Sequence, residues 1–250
     1  MNHQGCALGR RSPRPKSLVA GVHFHDLAAF LDPAIVAPEA VDETPGARVY
    51  LGHNNQLGTC GVVGLANYLS TVATREGRPA TEFSDDAIRD YYLAYTHGAD
   101  VGVVLLEFLN FAKSNGFFGE PLGAIVAIDP KNWEHVKLGM AIADALYVGA
   151  ELPLSAQASN FWRAGTTQRD LPGSWGGHCM AATGYLLAGS YGEANVSFDS
   201  WAQRFYATRS WWDACVDEVY AVIDLRRETI PGLHLDALRA AEAQLAALAD

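Results

Sequence analysis

The sequence has few cysteines and no paired-cysteine motif. Its 250 residues include four cysteines, none of which forms a C-x-x-C pair, namely Cys6, Cys60, Cys179 and Cys215. A zinc site with paired-cysteine ligands is therefore not predicted, and a chain of this length does not need a disulfide framework. We interpret the thiols as free, as in a reducing compartment, which leaves Cys60 available for chemistry. No metal and no organic cofactor is expected.

Positive charge and long apolar runs are also scarce. The chain has 18 Lys and Arg against 28 Asp and Glu, a formal net charge of -10. Nucleic acids are bound through a basic surface, so no nucleic-acid partner is predicted. No apolar run reaches the roughly 18 residues of a membrane helix, and His23, His25 and Asp26 interrupt the apolar stretch after the basic N-terminus. Neither a membrane span nor a secretory signal is expected.

Helical periodicity dominates the first part of the chain. Apolar residues recur at helical spacing from Gly61 to Arg75, and Gly77 supplies a stop. Another helix is predicted to begin at Ser84, followed by one over 101–114 with Asp100 as its cap and Gly116 as its end. Further segments are predicted as a helix over 132–144 and as strands over 122–128, 146–152, 178–187, 194–201 and 217–225.

Helices that precede strands indicate an α+β architecture in two lobes, a helical N-terminal lobe and an antiparallel β C-terminal lobe. A polar, glycine-containing loop over 153–175 is a candidate rim for a site. The C-terminal leucines (Leu235, Leu238, Leu245 and Leu248) form a short apolar seam. Two heptads are too few for a stable coiled coil, so a helix docked on its own domain is favoured over one that binds a partner or a second copy.

Cys60 ends the stretch Gln56-Leu57-Gly58-Thr59-Cys60, immediately before the first predicted helix. The dipole of a helix N-terminus lowers the pKa of a thiol, as a nearby imidazolium also does. This placement predicts a nucleophilic cysteine. The alternative is a small buried residue that packs the turn.

His178 follows Gly176-Gly177 at the head of an apolar strand, and it is the predicted proton partner of Cys60. Asp199, close to Trp201, is the predicted orienting group for the imidazole. The oxyanion donors would be the backbone N–H of Cys60 and a side-chain amide from Asn54 or, alternatively, Gln56. Each of these polar residues also has a purely structural interpretation. His23 and His25 together offer two metal ligands on one strand face, but no third is apparent.

These segments resemble the papain-like (C1-type) cysteine peptidases, particularly their bacterial and phage-encoded members. Gln56-Leu57-Gly58-Thr59-Cys60 resembles the nucleophile motif, the segment from Gly176-Gly177-His178 to Gly184-Tyr185 resembles the histidine strand, and Asp199-Ser200-Trp201 falls where the family has N-S-W. The resemblance implies a two-lobed papain-like domain over 37–228, with an arm over 1–36 and a C-terminal helix over 229–250. It implies a peptide or protein substrate and a Cys60–His178–Asp199 triad with a thioester intermediate.

The sequence departs from the family pattern at four positions. Asn54 stands where the family has the oxyanion glutamine and is one methylene shorter, and Asp199 replaces the orienting asparagine. Gly61 replaces an aromatic residue, and Trp201 is followed by Ala202 instead of glycine. The arm before residue 37 is short for an inhibitory propeptide.

Three hypotheses therefore stand. The first is a cysteine-dependent hydrolase of peptide or amide bonds. The second is a catalytically degenerate papain fold that serves as a structural or binding protein, for example in a phage virion. The third is a thiol acyltransferase or cell-wall amidase that uses the same residues. The expected location is cytoplasmic or virion-associated.

Overall fold

A computed structural model describes residues 6–12, 24–42 and 46–249. Within these residues the helices are α1 (Cys60–Arg75), α2 (Asp85–Tyr95), α3 (Leu105–Asn115), α4 (Trp133–Ala143), α5 (Arg209–Cys215) and α6 (Leu235–Ala249). The strands are β1 (His25–Asp26), β2 (Ala40–Val41), β3 (Ala124–Ile128), β4 (Leu146–Leu152), β5 (Phe161–Trp162), β6 (Gly176–Leu186), β7 (Asn195–Ser200), β8 (Gln203–Thr208) and β9 (Val216–Ile223). Helices before strands give the predicted α+β arrangement.

The helical lobe consists of α1, α2 and α3 and has its own apolar core. α1 is buried along nearly its whole length and ends just before Gly77, whose φ of 65° ends the helix as predicted. The Ser84 side chain caps α2 by accepting a hydrogen bond from the backbone N–H of Ala87. Gly116, at φ 77°, ends α3 as expected.

The predicted cap of α3 is wrong. The helix begins at Leu105 instead of residue 101, and Val104 occupies the cap position. The Asp100 carboxylate accepts hydrogen bonds from the Gly58 N–H at 2.9 Å and from the Tyr92 hydroxyl at 2.7 Å. Asp100 therefore braces the loop before Cys60 instead of starting a helix.

The second lobe is built on one sheet with the strand order β1-β3-β9-β4-β6-β7-β8-β5, and β2 pairs with β6. All pairs are antiparallel except β1–β3 and β5–β8. The predicted strands within 122–128, 146–152, 178–187, 194–201 and 217–225 are confirmed. α1 packs against β6, so the N-terminus of α1 and the start of β6 meet at the seam between the lobes.

The sequence prediction missed β8 and α5, and also the two-residue strands β1, β2 and β5. β7 and β8 form a hairpin whose two-residue turn is Trp201-Ala202, with φ values of 47° and 56°. Such turns normally use Asn-Gly, so a Trp-Ala pair gives no hairpin signal in the sequence. The turn carries backbone strain at both residues because neither is glycine.

We expect Ala202→Gly to stabilise the fold. A left-handed conformation costs an L-residue about 1–2 kcal/mol, part of which is offset by the larger entropy that glycine loses on folding. Ala202 is exposed, so no packing is lost. Denaturant titration should show a gain of about 0.5–1 kcal/mol in the free energy of unfolding. Ala194→Gly, at a position without a positive φ, should show a loss, and a loss at both positions would contradict the strain argument.

α6 packs on its own chain, as the favoured interpretation predicted. Leu235 and Leu238 are buried, and Glu242 contacts Lys113 and the His25 ring, the latter at 2.8 Å. His25 therefore bonds to a carboxylate, while His23 and the side chain of Leu248 lie outside the described residues. No group of three potential metal ligands occurs in the described part of the chain. None of the helices described there is long and apolar enough to cross a membrane.

Candidate active site

Cys60 is the first residue of α1, at the seam between the lobes. The turn before it is fixed by a hydrogen bond from the Thr59 hydroxyl to the Gly52 carbonyl at 2.8 Å. The packing of α1 on β6 brings the Cys60 thiol to the backbone N–H of Cys179, the residue that follows His178. The two predicted reactive residues thus lie in one neighbourhood, and both side chains are fully buried.

His178 is held by Ser200 and Trp201. Its Nε2 atom is 2.7 Å from Ser200 Oγ, and the Trp201 ring stacks on the imidazole at a centroid distance of 4.0 Å. Trp175 stacks in turn on Trp201. The Nδ1 atom of His178 is buried and has no hydrogen-bond partner among the described residues, Cys60 included. The ring is therefore held on one edge and unpartnered on the other.

The Asp199 carboxylate does not hydrogen-bond to His178, whose Nε2 bonds to Ser200 and whose Nδ1 has no partner among the described residues. The Asp199 carboxylate oxygens accept hydrogen bonds from Arg204 at 2.7 and 3.0 Å. Successive residues of a strand point to opposite faces, so Ser200, and not Asp199, is directed towards the imidazole. The sequence prediction missed Ser200 because the strand face is fixed by the Trp201-Ala202 turn, which the sequence does not signal.

The two candidate amides lie in different environments. Gln56 is exposed on the turn, whereas Asn54 is fully buried. Asn54 Nδ2 donates to the carbonyl oxygens of Ala7, at 3.2 Å, and Leu57, at 3.0 Å. Of the two, only Asn54 places its amide against a peptide carbonyl of another segment.

That segment is part of the N-terminal arm. Residues 6–12 of the arm cross the seam between the lobes. From the helical lobe, the Val103 N–H donates to the Gly9 carbonyl at 2.7 Å and the Val103 carbonyl accepts from the Arg11 N–H at 2.8 Å. From the sheet lobe, the Gly177 carbonyl accepts from the Arg10 N–H at 3.2 Å. An extended peptide of the chain itself thus occupies the cleft and buries Cys60 and His178.

The arm passes through a contact of three glycines. A Cβ on Gly9 would lie 1.9 Å from the Gly58 carbonyl oxygen, and one on Gly102 would lie 2.1 Å from the Gly9 carbonyl oxygen. Gly102 also has a φ of 70°. Larger residues are excluded here because a side chain would collide with backbone.

Arg10 anchors the arm in the sheet lobe. Its side chain has no exposed surface, and its nitrogens contact Glu218 at 2.7 and 2.9 Å, Asp217 at 2.7 Å and Glu151 at 2.9 Å. Burial acts to lower the pKa of Arg10, but Glu218 and Asp217 outweigh it, so the net direction is upwards. The guanidinium remains charged throughout the accessible pH range.

The closed site holds both reactive groups in their neutral forms. Burial raises the pKa of the Cys60 thiol to about 11, although backbone hydrogen bonds from Cys179, Gly9 and Gly61 and the charge of Arg10 act in the opposite direction. Burial, aided by the charge of Arg10, lowers the pKa of His178 to about 3. The expectation of a thiol ionised by the helix dipole is therefore not met in this closed arrangement. The arm before residue 37 is short for an inhibitory propeptide, and residues 7–11 of it span the site.

Comparison with solved structures shows a papain-like fold. Xylellain, a cysteine protease from Xylella fastidiosa, matches with a TM-score of 0.66 and 12% identity over 88% of this chain and 96% of that one. The cysteine protease and lectin-like domains of Cwp84 from Clostridium difficile match at 0.57 and 10% over 84% and 57%. Digestive procathepsin L 3 of Tenebrio molitor larval midgut matches at 0.54 and 12% over 84% and 79%.

No family model matches the sequence, and no curated protein does. At identities of 10–12% the structural likeness establishes the fold and leaves the chemistry to be argued from the residues. None of these three structures is of a phage protein, so the expected phage link gains no support.

Proposed function

We propose that the protein is a cysteine-dependent hydrolase of peptide or amide bonds that is latent while the arm fills its cleft. Cys60 is the nucleophile, His178 the proton carrier, Ser200 the group that positions His178, and Asn54 an oxyanion donor together with the backbone N–H of Cys60. Asp199, which is bonded to Arg204, has no role in the proposed steps. No metal or organic cofactor takes part in the proposed steps.

The observation that carries the proposal is the extended peptide across Cys60 and His178. The cleft binds the arm mainly through its backbone, as an enzyme that cleaves peptides must bind a substrate. Asn54 Nδ2 already donates to one peptide carbonyl of the arm. The unpartnered Nδ1 of His178 is the atom available to take the thiol proton once the arm leaves.

In the open enzyme, transfer of the Cys60 proton to His178 gives a thiolate and an imidazolium. The sulfur attacks the substrate carbonyl carbon, and the resulting oxyanion is stabilised by the Asn54 amide and the Cys60 N–H. The C–N bond breaks as His178 returns its proton to the leaving amine, which leaves a thioester. Water then attacks the thioester with His178 as base, releasing the acid and restoring the thiol.

Ser200→Ala should lower kcat about tenfold with little change in KM. The variant removes the hydrogen bond at Nε2 that fixes the imidazole, and one such bond is worth about 1–1.5 kcal/mol. Steady-state kinetics with a fluorogenic peptide measures the effect. Ser197→Ala, a buried serine on the same strand bonded to Gly184 and Thr183, is the matched control. Equal kinetics in the Ser200→Ala and wild-type proteins would remove Ser200 from its proposed role.

The test of the proposed function is covalent trapping on the full-length protein. A peptidyl vinyl sulfone, with the modified residue mapped by mass spectrometry, should label Cys60 and leave the buried Cys215 unmodified. Labelling should be lost in His178→Ala, because the thiolate forms only with the imidazole present. If Cys60 reacts no faster than Cys215 after the arm has been released, the hydrolase proposal fails and the binding-protein hypothesis takes its place. Product analysis with amine acceptors distinguishes hydrolysis from acyl transfer.

A further inference from the structure

The acidic pocket (Glu151, Asp217 and Glu218) binds the guanidinium of Arg10 at all three of its nitrogens. Nε and Nη2 contact Glu218, Nη2 also contacts Asp217, and Nη1 contacts Glu151. The Glu218 side chain is almost fully buried, while Asp217 and Glu151 form a rim about one-third exposed. The pocket is therefore deep, acidic and shaped around a planar cation.

A backbone irregularity in β9 brings two neighbouring carboxylates to the same cation. Gly149 pairs with Glu218 and Ala150 pairs with Val216, so Asp217 is an extra residue in the ladder. In a regular strand Asp217 and Glu218 would point to opposite faces, whereas a bulge redirects one of them. Both side chains consequently bind the guanidinium.

Two further residues fit the pocket to its occupant. A Cβ on Gly149 would lie 2.7 Å from Arg10 Nε, so the missing side chain makes the space that the guanidinium fills. The Tyr220 hydroxyl donates to Glu218 Oε2 at 2.9 Å and leaves Oε1 for the arginine. These features indicate a binding site shaped for a guanidinium and not an incidental ion pair.

The pocket also lies beside the path of a bound peptide. Arg10 is the residue next to Gly9, whose backbone N–H reaches the Cys60 thiol, and the Arg10 N–H bonds to the residue before His178. One arginine charge against three carboxylates leaves the pocket with excess negative charge. When the arm leaves, the pocket is empty, acidic and adjacent to the nucleophile.

We infer that the acidic pocket is a subsite for an arginine side chain of the substrate, one residue from the position that faces Cys60. The inference rests on the proposed function and names its substrate class, peptides that contain arginine. Arginine is preferred over lysine because the carboxylates contact three separate nitrogens, and lysine carries only one. The arm occupies the subsite with its own arginine and competes with the substrate for it.

The test is peptide binding to a full-length Arg10→Ala, Cys60→Ala protein, in which the pocket is vacated and cleavage is prevented. The probe is a fluorescent peptide with the sequence of residues 6–12 carrying Cys6→Ser. Replacing its Arg10 with citrulline, the neutral isostere, should weaken binding at least tenfold, and replacing it with lysine should weaken binding to an intermediate extent. Citrulline at Arg11, which is exposed in the arm, is the matched control and should change binding less than twofold.

Changes in the protein complete the test. Glu218→Gln should abolish the preference for arginine over citrulline, and Asp217→Asn, a change at the rim that is about one-third exposed, should reduce it severalfold. Equal binding of the arginine and citrulline peptides, or a preference that survives both substitutions, would overturn the subsite.

Turnover separates this inference from the proposed hydrolase. In the Arg10→Ala protein with Cys60 intact, kcat/KM should be at least tenfold higher for a fluorogenic peptide with arginine than for its citrulline counterpart. Binding preference without any turnover would refute the hydrolase and retain the subsite. Turnover without a preference for arginine would refute the subsite and retain the hydrolase.

Discussion

Arg10→Ala should raise the rate of Cys60 modification by about a hundredfold or more at neutral pH. The substitution removes a fully buried guanidinium and leaves Glu218, itself buried, facing Asp217 without its counter-charge. Breaking such a buried pair costs about 3 kcal/mol or more, and that cost is avoided when the arm leaves and water enters. About 3 kcal/mol corresponds to roughly a hundredfold in the open population. We take the lower end because Asp217 and Glu151 are partly exposed and screened.

The measurement is the second-order rate of reaction with iodoacetamide, followed at Cys60 by mass spectrometry. Arg11→Ala is the matched control, since Arg11 is exposed and next in sequence. Gly9→Val is a second route to the same state, because its side chain would collide with the Gly58 carbonyl. A rate in Arg10→Ala equal to that of Arg11→Ala would show that the acidic pocket does not hold the arm closed.

Lowering the pH from 6.5 to 4.5 should raise the population of the open state by up to about fiftyfold. The closed state lowers the pKa of His178 to about 3, mainly by burial, whereas a solvated histidine has a pKa near 6.5. Between these values the open state binds the extra proton, so the closed state loses about 1.4 kcal/mol per pH unit as the pH falls. Above pH 6.5 the open and closed states hold the same total number of protons on Cys60 and His178, because transfer from the thiol to the imidazole changes no total, and the balance is independent of pH.

Glu218 acts in the opposite direction. Burial raises the pKa of Glu218 in the closed state, against the opposing effects of Arg10 and the Tyr220 hydrogen bond. Because the closed state holds the Glu218 proton more tightly than a solvated glutamate does, acid favours the closed state at this group and makes the overall pH dependence shallower than that of His178 alone. Arg10 keeps its charge over this range and adds nothing to the pH dependence.

Hydrogen exchange of the Arg10 and Arg11 amides measures this opening directly, because both amides are bonded to the cleft in the closed state. After correction for the intrinsic pH dependence, their protection should fall by up to about tenfold per pH unit below 6.5. The Val63 amide within α1 is an internal reference that should keep its protection. In His178→Gln this loss of protection in acid should disappear, leaving only the opposing effect of Glu218, and a wild-type protein with constant protection over this range would refute the coupling.

Much of the fold follows from local sequence patterns. Helical spacing of apolar residues locates α1, and Ser84 and Asn132 mark the starts of α2 and α4 because their side chains cap those helices. The strands of the sheet core read as apolar runs and were also located. β8 escaped prediction because its hairpin turn uses Trp201 and Ala202 in left-handed conformations, a geometry that the two residue types do not indicate.

The candidate site was likewise predictable only where local sequence motifs mark its residues. Cys60, His178 and Asn54 are candidates from the sequence because each lies within a short motif. Ser200 was missed because its orientation depends on a turn that the sequence does not signal. The role of the arm escaped prediction because it depends on contacts such as that between Arg10 and Glu218, which lie 208 positions apart. Local patterns carry no information on pairings over such distances.

The arm belongs to the same polypeptide as the cleft that it fills, so its return to the site is a unimolecular event. Dilution leaves the closed fraction unchanged, in contrast to inhibition by a separate protein. A tethered segment has an effective concentration that reaches the millimolar range for short flexible connections. A separate peptide must bind strongly enough to compete with this effective concentration of the arm. Weak ligands therefore occupy the site only after acid has opened the arm or after cleavage has separated the arm from the domain.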